Sequence, residues 1–193
     1  MNASSGETLL CFDDSTVSIP RERRLGRILL ELSSRCNLDC PMCFLKGSGE
    51  TRGDLEWGVL QDLFEQAKRF PNLEWVHFSG VGEPLVHPRA LEALQLAAER
   101  GWSVRLTTNG TLVDAGLARA LTRIGLKVVD FSLEAEAVGF PGRDSDTGTI
   151  LEAMRTLDQA KKAEGRVFPE IRAAIVLTAS NLERVLALPK FLR

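Results

Sequence analysis

Ile28-Leu29-Leu30-Glu31-Leu32-Ser33, followed without a break by Ser34-Arg35-Cys36-Asn37-Leu38-Asp39-Cys40-Pro41-Met42-Cys43-Phe44, joins a near-continuous apolar run to three closely spaced cysteines. The apolar run has the character of a parallel strand buried on both faces. It predicts a strand over 28–33 that delivers Cys36, Cys40 and Cys43 to a loop at its C-terminal end. Three thiolates are one short of the four ligands that close a structural zinc site. An iron-sulfur cube held by three cysteines leaves one iron open to a ligand that is not protein.

From this stretch a strand-then-helix rhythm runs outward. Asp54 is the expected N-cap of a helix carrying Val59, Leu60, Leu63, Phe64 and Ala67, ended by Pro71. Trp75-Val76-His77-Phe78-Ser79 reads as the second strand. Pro88 opens a helix with Leu91, Leu94 and Ala98, and Gly101 lies just past its end. The third strand, Ser103 to Thr108, runs into the Asn109-Gly110 turn signal. Asp114 caps a helix with Leu117, Leu121 and Ile124, closed by Gly125. Val128 to Leu133 form the fourth strand, and a helix with Ile150, Met154, Leu157 and Ala160 on one face covers 149–164. Ile171 to Leu177 form the fifth strand, and Asn181 caps a final helix.

Five such units in order predict an α/β fold, a partial (β/α) barrel with parallel strands and right-handed crossovers, with an open doubly wound sheet as the competitor. Five strands do not close an eight-stranded barrel. Thr8–Phe12 and Thr16–Ile19, joined by Asp13-Asp14-Ser15, read as a short N-terminal hairpin. The expected organisation is a hairpin extension over 1–26 and a core domain over 27–193.

The 193 residues suffice for one domain with a real core. With 24 basic and 26 acidic side chains the formal charge is −2, which gives no electrostatic footprint for nucleic acid or an anionic membrane. The N-terminus lacks a secretory signal, and no apolar stretch is long enough to span a bilayer, so a cytoplasmic location is expected. Four cysteines, three of them within eight positions, point to metal or catalytic chemistry rather than a disulfide framework. Cys11, among Leu9, Leu10 and Phe12, is expected to be a small buried hydrophobe.

The unusual residues all fall at strand C-terminal ends, where parallel α/β folds build their sites. Gly80-Val81-Gly82-Glu83-Pro84 follows the second strand, Thr108-Asn109-Gly110 the third, and Ser132 with Glu134 the fourth. One rim therefore gathers them with the cysteines. His77 is expected to be a satisfied group within its strand and His87 a helix-entry residue, while Lys46 and Arg52 read as solvated loop charges.

The cysteine spacing after the first strand, joined to Gly82-Glu83-Pro84 after the second, resembles the radical S-adenosylmethionine superfamily over residues 27–193. The resemblance implies a partial barrel of six units, of which the last is missing here. It implies that Cys36, Cys40 and Cys43 hold a [4Fe-4S] cluster, thiolate being the ligand that selects such clusters. The open iron then takes S-adenosylmethionine, whose reductive cleavage yields a 5′-deoxyadenosyl radical that abstracts hydrogen from a substrate. Gly82 and Glu83 match the stretch that contacts the cosubstrate amino group. Ser132 matches the ribose-binding region, with Glu134 standing where many relatives have aspartate, and Arg143 matches a carboxylate-binding arginine. Asn109 and Phe44 complete the candidate cofactor contacts; Met42 stands where relatives often carry an aromatic residue, and Ile175 and Val176 are candidates to line the adenine pocket. The expected partners are S-adenosylmethionine, a substrate of the peptide or cofactor-precursor type, and a reducing donor such as flavodoxin or ferredoxin. The alternative is a non-catalytic iron-sulfur or zinc module closed by Cys11 or His77, and a third reading is a sugar- or nucleotide-binding barrel with incidental cysteines.

Overall fold

The computed structural model describes residues 7–20, 25–40, 43, 49, 51–133, 147–177 and 182–187. The hairpin strands β1 (Glu7–Phe12) and β2 (Ser15–Pro20) pair antiparallel around Asp13-Asp14 and form a sheet of their own. The main sheet has five parallel strands in the order of the chain: β3 (Arg27–Leu30), β4 (Trp75–Phe78), β5 (Ser103–Thr108), β6 (Val128–Ser132) and β7 (Glu170–Ala174). Between and after them run α1 (Trp57–Ala67), α2 (Ala90–Glu99), α3 (Ala115–Ile124), α4 (Thr147–Ala163) and α5 (Leu182–Ala187). Sequential neighbours joined through helices, with every pair parallel, make the sheet of a non-closed (β/α) barrel. Among the described residues no helix is long and apolar enough to cross a membrane.

Among the described residues the main hydrophobic cluster lies on one face of this sheet. Leu30, Val76, Phe78, Val104, Leu106, Val129 and Phe131 pack against Leu60, Phe64, Leu94, Leu121, Ile150 and Leu157 of the helices. Alternate residues point the other way, and that second face carries Arg27, Leu29, His77, Arg105, Thr107, Asp130 and Arg172. The expectation of a first strand buried on both faces therefore fails at Leu29, which is 68% exposed. The strand is also shorter than the apolar run. Ser34 turns instead to Gly53, its N–H donating to the Gly53 carbonyl at 2.9 Å while Leu55 N–H donates to Leu32.

Two helix starts move for stated reasons. Asp54 does not cap α1, because its carboxylate is taken by the Arg35 guanidinium, and its backbone bridges Ser33. α1 begins at Trp57 with no side-chain cap, and Val59 is exposed, so Leu60, Phe64 and Ala67 make its buried stripe. α2 starts at Ala90, after Arg89 N–H has donated to His87 Nδ1 at 3.1 Å. The Asp114 cap does form, accepting from Leu117 N–H at 2.7 Å, and Gly125 ends α3 with a left-handed φ of 84°. Asn181 lies outside the described residues.

Candidate functional site

The cysteine loop leaves β3 and is held from three sides, by its own return toward α1 and by the loops that follow β4 and β5. On the first side, Arg35 Nε donates to Asp54 Oδ1 at 3.0 Å, and Ser34 Oγ exchanges hydrogen bonds with the Gly53 backbone. The bonds to Arg35 hold the Asp54 carboxyl below its ordinary range. On the second side, the glycine-rich loop after β4 packs directly onto this backbone. A Cβ at Gly82 would overlap the Ser33 carbonyl oxygen and stand 2.6 Å from that of Arg35, so only glycine allows the approach. Glu83 N–H then donates to the Arg35 carbonyl at 2.8 Å.

The Glu83 side chain points inward rather than to a ligand. It is 2% exposed, and its carboxylate accepts from Thr108 Oγ1 at 2.8 Å, Asn109 N–H at 2.7 Å and Leu85 N–H at 3.1 Å. Burial pushes its carboxyl up from the ordinary value, and the three donors oppose that shift. Its carboxylate thus clamps the loop after β4 to the end of β5. What Gly82 and Glu83 offer a bound molecule is backbone.

The third side is the loop after β5. Asn109 Nδ2 lies 2.9 Å from Asn37 Oδ1 and 3.8 Å from Cys36 Sγ, while Asn37 Nδ2 donates to Thr111 Oγ1 at 2.8 Å. Leu38 N–H also points at Cys36 Sγ, at 3.4 Å. Cys43 N–H donates to the Cys40 carbonyl at 3.0 Å. None of the four cysteines is in a disulfide. Ser132, half-buried, ends β6 on the second face of the sheet. Phe44, Met42, Lys46, Glu134 and Arg143 lie outside the described residues.

Glu31 was not singled out in the sequence, although it is the one charge in the run from Ile28 to Ser33. Its Oε1 accepts from the backbone N–H of Val81 at 2.6 Å and of Gly82 at 3.1 Å, so it shapes the glycine-rich loop from below. That lone carboxylate was the available signal. Cys11, expected to be buried, is exposed on β1 and accepts from Thr16 Oγ1 at 3.9 Å. His77 shares a 2.8 Å hydrogen bond with Thr107 Oγ1, and buried His87 donates through Nε2 to the Leu55 carbonyl, at the entry to α2. Among the described residues no three His, Cys, Asp or Glu side chains converge on one point, as a single metal ion would demand. A cluster in which each iron takes one thiolate makes no such demand.

The fold and the rim define a parallel α/β domain with a three-thiol loop at the C-terminal edge of its sheet. The sequence profile of the radical SAM superfamily matches residues 30–183, and the chain belongs to that superfamily. It is 31% identical over 169 residues to the tungsten-containing aldehyde ferredoxin oxidoreductase cofactor-modifying protein of Pyrococcus furiosus, covering 86% of this chain and 47% of that protein. It is 34% identical over 108 residues to the PqqA peptide cyclase of Gluconobacter oxydans, covering 55% of this chain and 30% of that one. Among solved structures, Streptococcus suis SuiB bound to S-adenosylmethionine shares the fold with a TM-score of 0.69 at 20% identity, over 87% of this chain and 38% of SuiB. The chain spans less than half the length of these relatives.

Proposed function

We propose that this chain is the catalytic core of an enzyme that binds a [4Fe-4S] cluster through Cys36, Cys40 and Cys43 and cleaves S-adenosylmethionine to start radical chemistry on a peptide or a cofactor precursor. The observation that carries the reading is the lacing of two other strand-end loops, those after β4 and β5, onto the cysteine loop, within a chain that belongs to the radical SAM superfamily. The donor set suits the cluster: three thiols at loop spacing, with two N–H groups already aimed at Cys36 Sγ. When bound, the reduced cluster supplies the single electron that breaks the sulfonium carbon-sulfur bond.

The chain's own residues perform the rest. Gly82, lacking a side chain, brings the backbone of residues 82–83 close to the cysteine loop, where its polar groups can receive the cosubstrate amino group. Ser132 at the end of β6 presents a hydroxyl to the ribose, and the Asn109 amide stands between the two loops. Arg143 and Phe44 are assigned from their positions in the sequence to the cosubstrate carboxylate and to packing beside the cluster. In this reading residues 27–193 form the core, residues 1–26 are an extension, and a flavodoxin or ferredoxin delivers the electron. Relatives named as a cofactor-modifying protein and a peptide cyclase support this choice of substrate class.

The test is anaerobic reconstitution with iron and sulfide, followed by a strong reductant and S-adenosylmethionine. The expected result is iron in the ratio of one cluster per chain, an electron paramagnetic resonance spectrum that changes on adding cosubstrate, and 5′-deoxyadenosine in the mass spectrum. A cluster whose spectrum ignores the cosubstrate would sink the reading. Alanine at Cys36, Cys40 or Cys43 should abolish cluster and product together.

A further inference from the structure

Asn109, Asn37 and Thr111 form a closed ring of hydrogen bonds in which each side chain donates to the next. Asn109 Nδ2 donates to Asn37 Oδ1, Asn37 Nδ2 donates to Thr111 Oγ1, and Thr111 Oγ1 donates to Asn109 Oδ1 at 2.7 Å. Thr111 N–H donates to the same Asn109 oxygen at 3.0 Å. Two donors on Oδ1 settle which end of the amide is the nitrogen. With one Nδ2 hydrogen spent on Asn37, the other is left facing Cys36 Sγ.

The backbone beneath this amide is equally constrained. Asn109 N–H is held by the buried Glu83 carboxylate, and Gly110 N–H donates to Thr108 Oγ1 at 3.1 Å. Gly110 has a φ of 79°, with the Phe131 ring 2.8 Å from where a Cβ would stand. The backbone of the turn is thus fixed by partly buried bonds, and turning the amide away from the sulfur breaks the ring through Asn37 and Thr111.

We propose that Asn109 is a positioning residue that hydrogen-bonds the Cys36 thiolate, raises the reduction potential of the cluster and is oriented by the ring through Asn37 and Thr111. The inference rests on the function proposed above, since it takes Cys36 as a cluster ligand. An N–H aimed at a ligand sulfur stabilises the form with more negative charge on the cluster, which is the reduced one. Removing the donor makes the cluster harder to reduce and leaves its three ligands in place.

The experiment is a redox titration of the reconstituted chain and of its Asn109→Leu and Asn37→Leu variants, followed by electron paramagnetic resonance, with iron and sulfide counted in each. At a fixed potential near the wild-type midpoint, the reduced-to-oxidised ratio should fall on the order of threefold to tenfold in Asn109→Leu, as loss of one ordinary hydrogen bond implies. Asn37→Leu keeps the donor but opens the ring, and should fall by a smaller factor. Resonance Raman gives a readout that a merely structural role would not move. The iron-to-cysteine-sulfur stretches should shift between H2O and D2O in the wild type, and less in Asn109→Leu. Full cluster occupancy with unchanged potential and unchanged isotope shift in Asn109→Leu overturns the proposal. Should that variant hold no cluster, an unmoved potential in Asn37→Leu overturns it instead. A wild type that holds no cluster refutes both readings, whereas one whose cluster ignores S-adenosylmethionine refutes only the proposed function.

Discussion

At Glu83 the physical chemistry of a single carboxylate decides how two loops meet. Every group that approaches its oxygens is a donor: the Thr108 hydroxyl and the N–H of Asn109 and of Leu85. An amide in its place presents an N–H to at least one of these and strands a buried donor. Glu83→Gln should therefore destabilise the chain by roughly 1–3 kcal/mol, read from the urea midpoint, despite near-identical shape. Because burial raises the folded-state value of this carboxyl, its own contribution to stability is present in full below the unfolded value and is lost as pH rises through the folded one. The cysteine spacing was legible because it is local, eight consecutive positions on one loop. The partners of Glu31 and Asn109 were not, for they lie 50 and 72 residues away along the chain, at Val81 and Asn37, and only the parallel pairing of strand ends brings them together.

Element by element, the strands show why alternation carries more information than mean apolarity. Each of β3 to β7 turns one row to the helices and the other away from them, so Leu29, Arg105 and Arg172 sit on the face opposite the packed helices among the described residues. The apolar run Ile28–Ser33 suggested burial on both sides because Leu29 is leucine, yet that position faces the polar row. Helix starts were legible where a cap acts locally, at Asp114, and failed at Asp54, where Arg35, 19 residues earlier in the same connection, competes for the carboxylate. On the polar row His77 ties β4 to β5 through Thr107. Burial, and then the nearby Arg105 charge, holds its imidazole below the ordinary value, with Asp130 opposing. A base lowered in the folded state contributes stability present above its unfolded value, near pH 6.5, and lost as pH falls through the folded value. Thermal melts of His77→Gln should accordingly show a weaker loss of stability below about pH 6.5 than the wild type.

Over the whole molecule, the Arg105–Asp130 pair is the most deeply buried ion pair among the described residues. Arg105 reaches across to Asp130 through two nitrogens, with the Asp130 side chain only 5% exposed and that of Arg105 31% exposed. Removing the guanidinium leaves a buried carboxylate without its bidentate partner. Arg105→Ala should cost about 2–3 kcal/mol in chemical denaturation, at the low end for a buried pair because the arginine is partly solvated. Arg123→Ala, which breaks a pair whose arginine is 65% exposed, should change stability by less than about 0.5 kcal/mol. The stability of the sheet and the order of the cysteine loop both rest on protein-to-protein contacts. The lacing of that loop by Asp54, by Glu83 N–H and by Asn109 runs entirely through nitrogen and oxygen atoms that need no iron. A zinc finger stays unfolded until its ion arrives; here the contacts that fix Arg35 and Asn37 pass through no metal, so under the proposed function the iron-free chain is expected to unfold cooperatively in urea, and a chain that is unfolded until iron and sulfide are added would contradict this.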